Sequence, residues 1–101
     1  MLAVQRKCST ITNSRQDIFL YNRVFRQITQ TMFSDMSNAD STNNVNADFV
    51  REMIPHYKGA VRMSENALKY EICEELKPIL DAIIISQCKG IKQMERLLKC
   101  L

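Results

Sequence analysis

Residues 14–36 read SRQDIFLYNRVFRQITQTMFSDM. Within them Ile18, Tyr21, Phe25, Ile28, Met32 and Met36 recur at steps of three and four, the spacing that stacks side chains on one face of an α-helix. Phe19, Val24 and Phe33 widen the stripe. Ser14, with Asp17 three residues later, predicts a capped start, because the serine oxygen can accept from a backbone N–H that has no earlier carbonyl to reach. The spacing predicts a helix over 14–36.

Residues 37–46, SNADSTNNVN, are rich in side chains that bond their own backbone and compete with helix, which predicts a loop. A second helix is expected over 47–71, where Phe49, Met53, Tyr57, Ala60, Ala67 and Tyr70 share one side. Pro55 lies inside it, removes a donor and crowds the Arg51 carbonyl, so a kink is expected there. A third helix is expected over 74–99, with Leu76, Leu80, Ile83, Gln87, Ile91, Met94 and Leu98 on one stripe and Pro78 in the first turn. At 1.5 Å per residue the three rods are roughly 35 to 39 Å long. Matched lengths point to an all-α fold, an antiparallel up-down bundle of three long helices forming one domain over 1–101. Three rods leave an open face, and Phe19, Phe33 and Ile85 fall beside the main stripes, so a homodimer is expected to complete the packing.

Composition narrows the alternatives. Two Gly and two Pro in 101 residues supply too few turns for a small sandwich or barrel. Fourteen basic and eleven acidic residues give a net charge of +3, spread without a basic block, which is a solvated surface and not a nucleic-acid footprint. No stretch approaches the length of a membrane span. The start, MLAVQRK, lacks the apolar core of a signal peptide, so a cytoplasmic protein is expected. The cysteines Cys8, Cys73, Cys88 and Cys100 form no C-x-x-C, which excludes a zinc ribbon. In that setting the default is reduced thiols acting as small buried hydrophobes, with disulfides or metal ligation as alternatives.

Chemistry concentrates around His56, the single histidine. Met53, His56, Ala60 and Met63 lie along one helical stripe, so thioether and imidazole stand one turn apart. Those donors favour monovalent copper, or silver as its mimic, over oxygen-seeking ions. Met53 and Met63 are about 15 Å apart along the axis, too far to share an ion, so another helix must complete any site. The bland reading is a methionine-rich core stripe with a satisfied histidine. Di-iron chemistry needs paired Glu-x-x-His segments, and here Glu52 precedes His56 by four. Nothing local marks Cys73 or Cys88 as a nucleophile beside His56. The chain is not expected to be an enzyme.

Residues 48–63, DFVREMIPHYKGAVRM, resemble the bacterial family called domain of unknown function three hundred and five, whose motif runs D-x-F-hydrophobic-x-x-M-I-x-H-H-x-x-A-hydrophobic-x-M and is followed by I-x-x-Q-x-x-E-I-x-x-M. Phe49, Met53, Ile54, His56, Ala60 and Met63 match the first part, with Asp48 directly before the phenylalanine instead of two positions before it, and Ile84, Gln87, Ile91 and Met94 match the second. The resemblance covers 47–98 and implies a ferritin-like helical bundle, some of whose members bind copper or silver through Met and His. It departs at two positions: the second histidine is Tyr57, and the glutamate after the glutamine is Gly90. A glycine inside a helix costs about 1 kcal/mol against Ala, so close approach by another helix is expected at Gly90. Met53, His56, Met63 and Met94 are the candidate ligands, with Gln87 and Tyr57 as polar partners orienting the imidazole. Two functions compete: a soft-metal-binding module, with copper as its cofactor, and a structural or interaction bundle with none.

Overall fold

The computed structural model describes residues 8–101, and the expectations for Met1 to Lys7 lie outside them. A 3-10 turn at Cys8–Thr10 precedes three helices, α1 Arg15–Ser37, α2 Val45–Leu68 and α3 Leu76–Leu98. Among the described residues there is no strand. Ser14 caps α1, its side-chain oxygen accepting from the Asp17 backbone N–H at 3.1 Å. Asn44 does the same for α2, accepting from the Asn46 N–H at 3.0 Å. Asp48, in the first turn of α2, reaches back to accept from both the backbone N–H and the hydroxyl of Thr42, at 2.8 and 2.7 Å. The motif aspartate therefore pins the loop ahead of its own helix.

The main difference in boundaries lies between α2 and α3. The chain leaves helix at Leu68, three residues before the expected 71, as Lys69 and Tyr70 donate to the carbonyls three residues back, the tightened geometry of a helix end. Residues 69–75 then carry the buried Cys73 into the interior. Pro78 falls in the first turn of α3, where its missing N–H has no intrahelical partner to lose. Pro55 lies inside α2, which runs through it as one continuous helix.

The helices pack up-down-up around a central α2, which has α1 on one side and α3 on the other; α1 and α3 share no packed interface. Antiparallel order is visible in the contacts. Met32 meets α2 at Gly59, whereas Tyr21, earlier on α1, meets Tyr70 just beyond the end of α2, with ring centroids 6.0 Å apart. On the other side Tyr57 meets Gly90. Asn66, buried in α2, donates from Nδ2 to the Tyr21 carbonyl at 3.2 Å and ties the first seam with a polar link. Ile28, Met32, Ala47, Val50, Cys73 and Leu80 form the buried apolar core.

The thiols depart from expectation. Cys8 and Cys73 are joined in a disulfide spanning 65 positions, with Cα atoms 4.8 Å apart. Cys88, half-buried, and Cys100, exposed, are free. The pairing was hidden from spacing because Cys8 precedes the first helix while Cys73 sits between the second and third; only the antiparallel fold brings them together. With two of its four cysteines in a disulfide, the chain departs from the reduced thiols expected of a cytoplasmic setting. No helix among the described residues is long and apolar enough to cross a membrane.

Both glycines sit where α2 is approached most closely. A Cβ at Gly59 would collide with Met32 Sδ and stand 2.9 Å from its Cγ. One at Gly90 would lie 2.7 Å from Cε2 and 3.0 Å from Cδ2 of the Tyr57 ring. The helix approach expected at Gly90 is thus an aromatic face. Gly59→Ala gains about 1 kcal/mol of helix propensity but overpacks a buried methionine, at a cost of roughly 1–3 kcal/mol. A net loss of stability in urea unfolding is expected, and Gly59→Ala as stable as wild type or more so would refute the contact. Gly90→Ala should likewise destabilise, and the loss should shrink in a Tyr57→Ala background, where the ring is gone.

Candidate functional site

The candidate ligands divide between the two seams of α2. Tyr57 faces α3 at Gly90, and Met53, four residues earlier, shares its helix face. On α3, Met94 lies four residues after Gly90 and shares the facing stripe. Since the helices run in opposite directions, one turn from the Tyr57–Gly90 contact brings Met53 and Met94 to the same level of the α2–α3 seam. Both are half-buried.

Met63 belongs elsewhere. It lies four residues beyond Gly59, on the face of α2 turned to Met32 and α1. His56 takes neither position: it is exposed, about 100° around the helix from Tyr57, with the two ring centroids 6.2 Å apart and tilted by 58°. Met53 and His56 remain one turn apart on α2. Among the described residues no hydrogen bond joins the half-buried Gln87 to His56 or Tyr57, and the Tyr57 ring lies over Gly90.

Two features escaped the sequence reading. Asn66 is the most deeply buried polar side chain, and its Oδ1 has no hydrogen-bond partner; an asparagine on the face shared by Met63 and Tyr70 was the available signal. The second is the sulfur cluster. Cys8, Cys73 and Glu75 place their ligand atoms within 4.8 Å of one another, at the end of the molecule where the α2–α3 connection meets the N-terminal segment. Beside it lies an apolar recess of about 210 Å³ lined by Ile18, Tyr21, Ala67, Tyr70, Ile72 and Leu76. At the opposite end a more open hollow holds Arg51, whose Nη1 is buried with no hydrogen-bond partner, together with Lys58, Asp35 and Asp40.

No curated protein matches the chain. The sequence profile of domain of unknown function 305 (DUF305) matches residues 23–98. That span runs from the third turn of α1 to the last residue of α3 and takes in the Met32–Gly59 and Tyr57–Gly90 contacts, with Tyr21 just outside it. The match covers about three quarters of the sequence, and the chain belongs to the DUF305 family.

Proposed function

We propose that the protein is a soft-metal-binding helical module and not an enzyme, taking monovalent copper at the α2–α3 seam through Met53 and Met94 with His56 at its edge. The observation that carries this reading is the level of the two thioethers, each one turn from the Tyr57–Gly90 contact on facing stripes. Two thioethers with an adjacent imidazole make a soft donor set suited to a monovalent ion. An exposed His56 supplies a donor reachable from solvent. Met63, on the other seam, takes no part.

Silver titration under a competing chelator tests this, in a Cys88→Ser/Cys100→Ser chain with the Cys8–Cys73 bridge intact, so that no free thiolate contributes. His56→Ala is expected to weaken silver at least tenfold while leaving helicity unchanged, and Met63→Leu to leave affinity near wild type. Equal affinity in wild type and His56→Ala would overturn the assignment.

A second reading, an interaction bundle that works as a homodimer, is favoured by exposed apolar surface. Phe19, Phe33 and Ile85 are 62%, 59% and 70% exposed. Phe19 and Phe33 lie fourteen residues apart, close to four turns, and so share one stripe of α1. A second copy of the chain is the proposed occupant. Light scattering across micromolar to millimolar concentration should give twice the chain mass; a monomer throughout would refute it, and Phe33→Glu should shift the dimer towards monomer.

A further inference from the structure

Glu75 is the N-cap residue of α3, yet its side chain makes no capping hydrogen bond. Its Oε2 lies instead 3.4 Å from Cys8 Sγ. In the bridged state that sulfur carries no hydrogen to donate, so the carboxylate gains no hydrogen bond from the approach. The neighbouring acid differs: Glu74 is paired with Lys77 at 2.9 Å. When the bridge is opened, two thiols and a carboxylate face one another, their ligand atoms within 4.8 Å in the closed form. Ionised together, three such groups repel unless a cation lies between them. Their proximity also has support apart from the bridge, since Asn13 Nδ2 donates to the Glu71 carbonyl at 3.0 Å and holds the N-terminal segment on the α2–α3 connection.

We propose that reduced Cys8 and Cys73, with Glu75, form a site for a thiophilic divalent cation of the zinc class, and that the disulfide is its closed state. Cysteine thiolates and a glutamate carboxylate are all zinc-ligating groups, and three of them leave the fourth tetrahedral position to water. Sulfurs each about 2.3 Å from the ion stand roughly 3.8 Å apart in a tetrahedral site. Rotation of the two cysteine side chains reaches that separation across the 4.8 Å between their Cα atoms. Cys73 is buried and Cys8 and Glu75 exposed, so the site has a fixed inner ligand and an open outer side.

Opening requires a reductant of the dithiol class. Its thiolate attacks one sulfur, the S–S bond breaks, and the mixed disulfide is resolved by the second thiol, so the reductant leaves as a disulfide and both cysteines are free. Binding of the ion displaces the two thiol protons to solvent. Closing is the reverse exchange with a small disulfide oxidant, which is reduced to two thiols while the cation departs. This site is separate from the Met53, His56 and Met94 seam and prefers a different ion.

Cadmium is the probe, because its thiolate complexes absorb in the ultraviolet, and the protein is the full chain with Cys88→Ser/Cys100→Ser, which removes the competing thiols. After reduction and removal of the reductant, one cadmium ion per chain is expected, with a sulfur-to-metal absorption band that zinc displaces and a raised unfolding temperature. After oxidation both should vanish. Cys8→Ser should weaken cadmium at least tenfold, and Glu75→Gln should weaken it severalfold while keeping the band. Circular dichroism of the reduced and Cys8→Ser chains checks that the helices persist, and in the reduced Cys88→Ser/Cys100→Ser chain the same stoichiometry must survive His56→Ala. No cadmium binding by the folded reduced chain, equal binding by both redox states, or unchanged affinity in Glu75→Gln would each overturn the proposal.

Discussion

The closeness with which α2 is approached from both sides governs the rest of the structure. A three-helix layer with no α1–α3 interface has only two seams to hold it, and each passes through a glycine. At Gly59 the absent side chain admits Met32, and at Gly90 it admits the ring of Tyr57. Dispersion attraction falls steeply with distance, so a seam closed by the width of a methyl group gains contact along its whole length. The cost is the helix propensity lost at two interior glycines, about 1 kcal/mol each against alanine. The seam contacts also set register: the Tyr57–Gly90 contact places Met53 level with Met94, and the Met32–Gly59 contact assigns Met63 to α1.

The same contact accounts for both departures from the motif that the sequence resembles. Tyr57 stands where a second histidine is expected and Gly90 where a glutamate is expected, and the two residues touch. An aromatic ring needs the space that a missing side chain leaves, so the two exchanges work as one packing change on the α2–α3 seam. They replace two polar groups by an apolar contact one turn from Met53 and Met94. The soft-metal reading proposed above therefore rests on thioethers and the outer histidine as donors.

The helices were legible in the sequence because periodicity and capping are local. Ser14 with Asp17, the six residues from Ile18 to Met36, and Pro78 in a first turn each carry their meaning within a few positions. Gly90 was legible in part, since an interior glycine implies an approaching neighbour without naming it. Periodicity gives the face that a helix buries but says nothing of which residue of another helix meets it. For that reason Met32 against Gly59, Asn66 against the Tyr21 carbonyl and the exposure of His56 were not readable. His56 lies on the margin of the apolar stripe, where a rotation of the helix by one residue decides between core and solvent. The disulfide was further out of reach, because its partners sit 65 positions apart and belong to no motif.

That bridge does what the two seams leave undone. Because α1 and α3 share no packed interface, their relative placement depends mainly on α2, helped by the Asn13–Glu71 hydrogen bond ahead of the two outer helices. Cys8 lies just before α1, and Cys73 just before α3. The S–S bond therefore fastens the segment leading into one outer helix to the segment leading into the other. Closing a loop of that length removes unfolded-chain entropy worth about 4 kcal/mol in the chain-entropy view, a large share of the stability a domain of this size carries. The exposed stripes with Phe19 and Phe33 on α1 and Ile85 on α3 stand on the two helices that the bridge ties together. The outer helices are thus held by a covalent constraint at one end and by close glycine contacts along the middle.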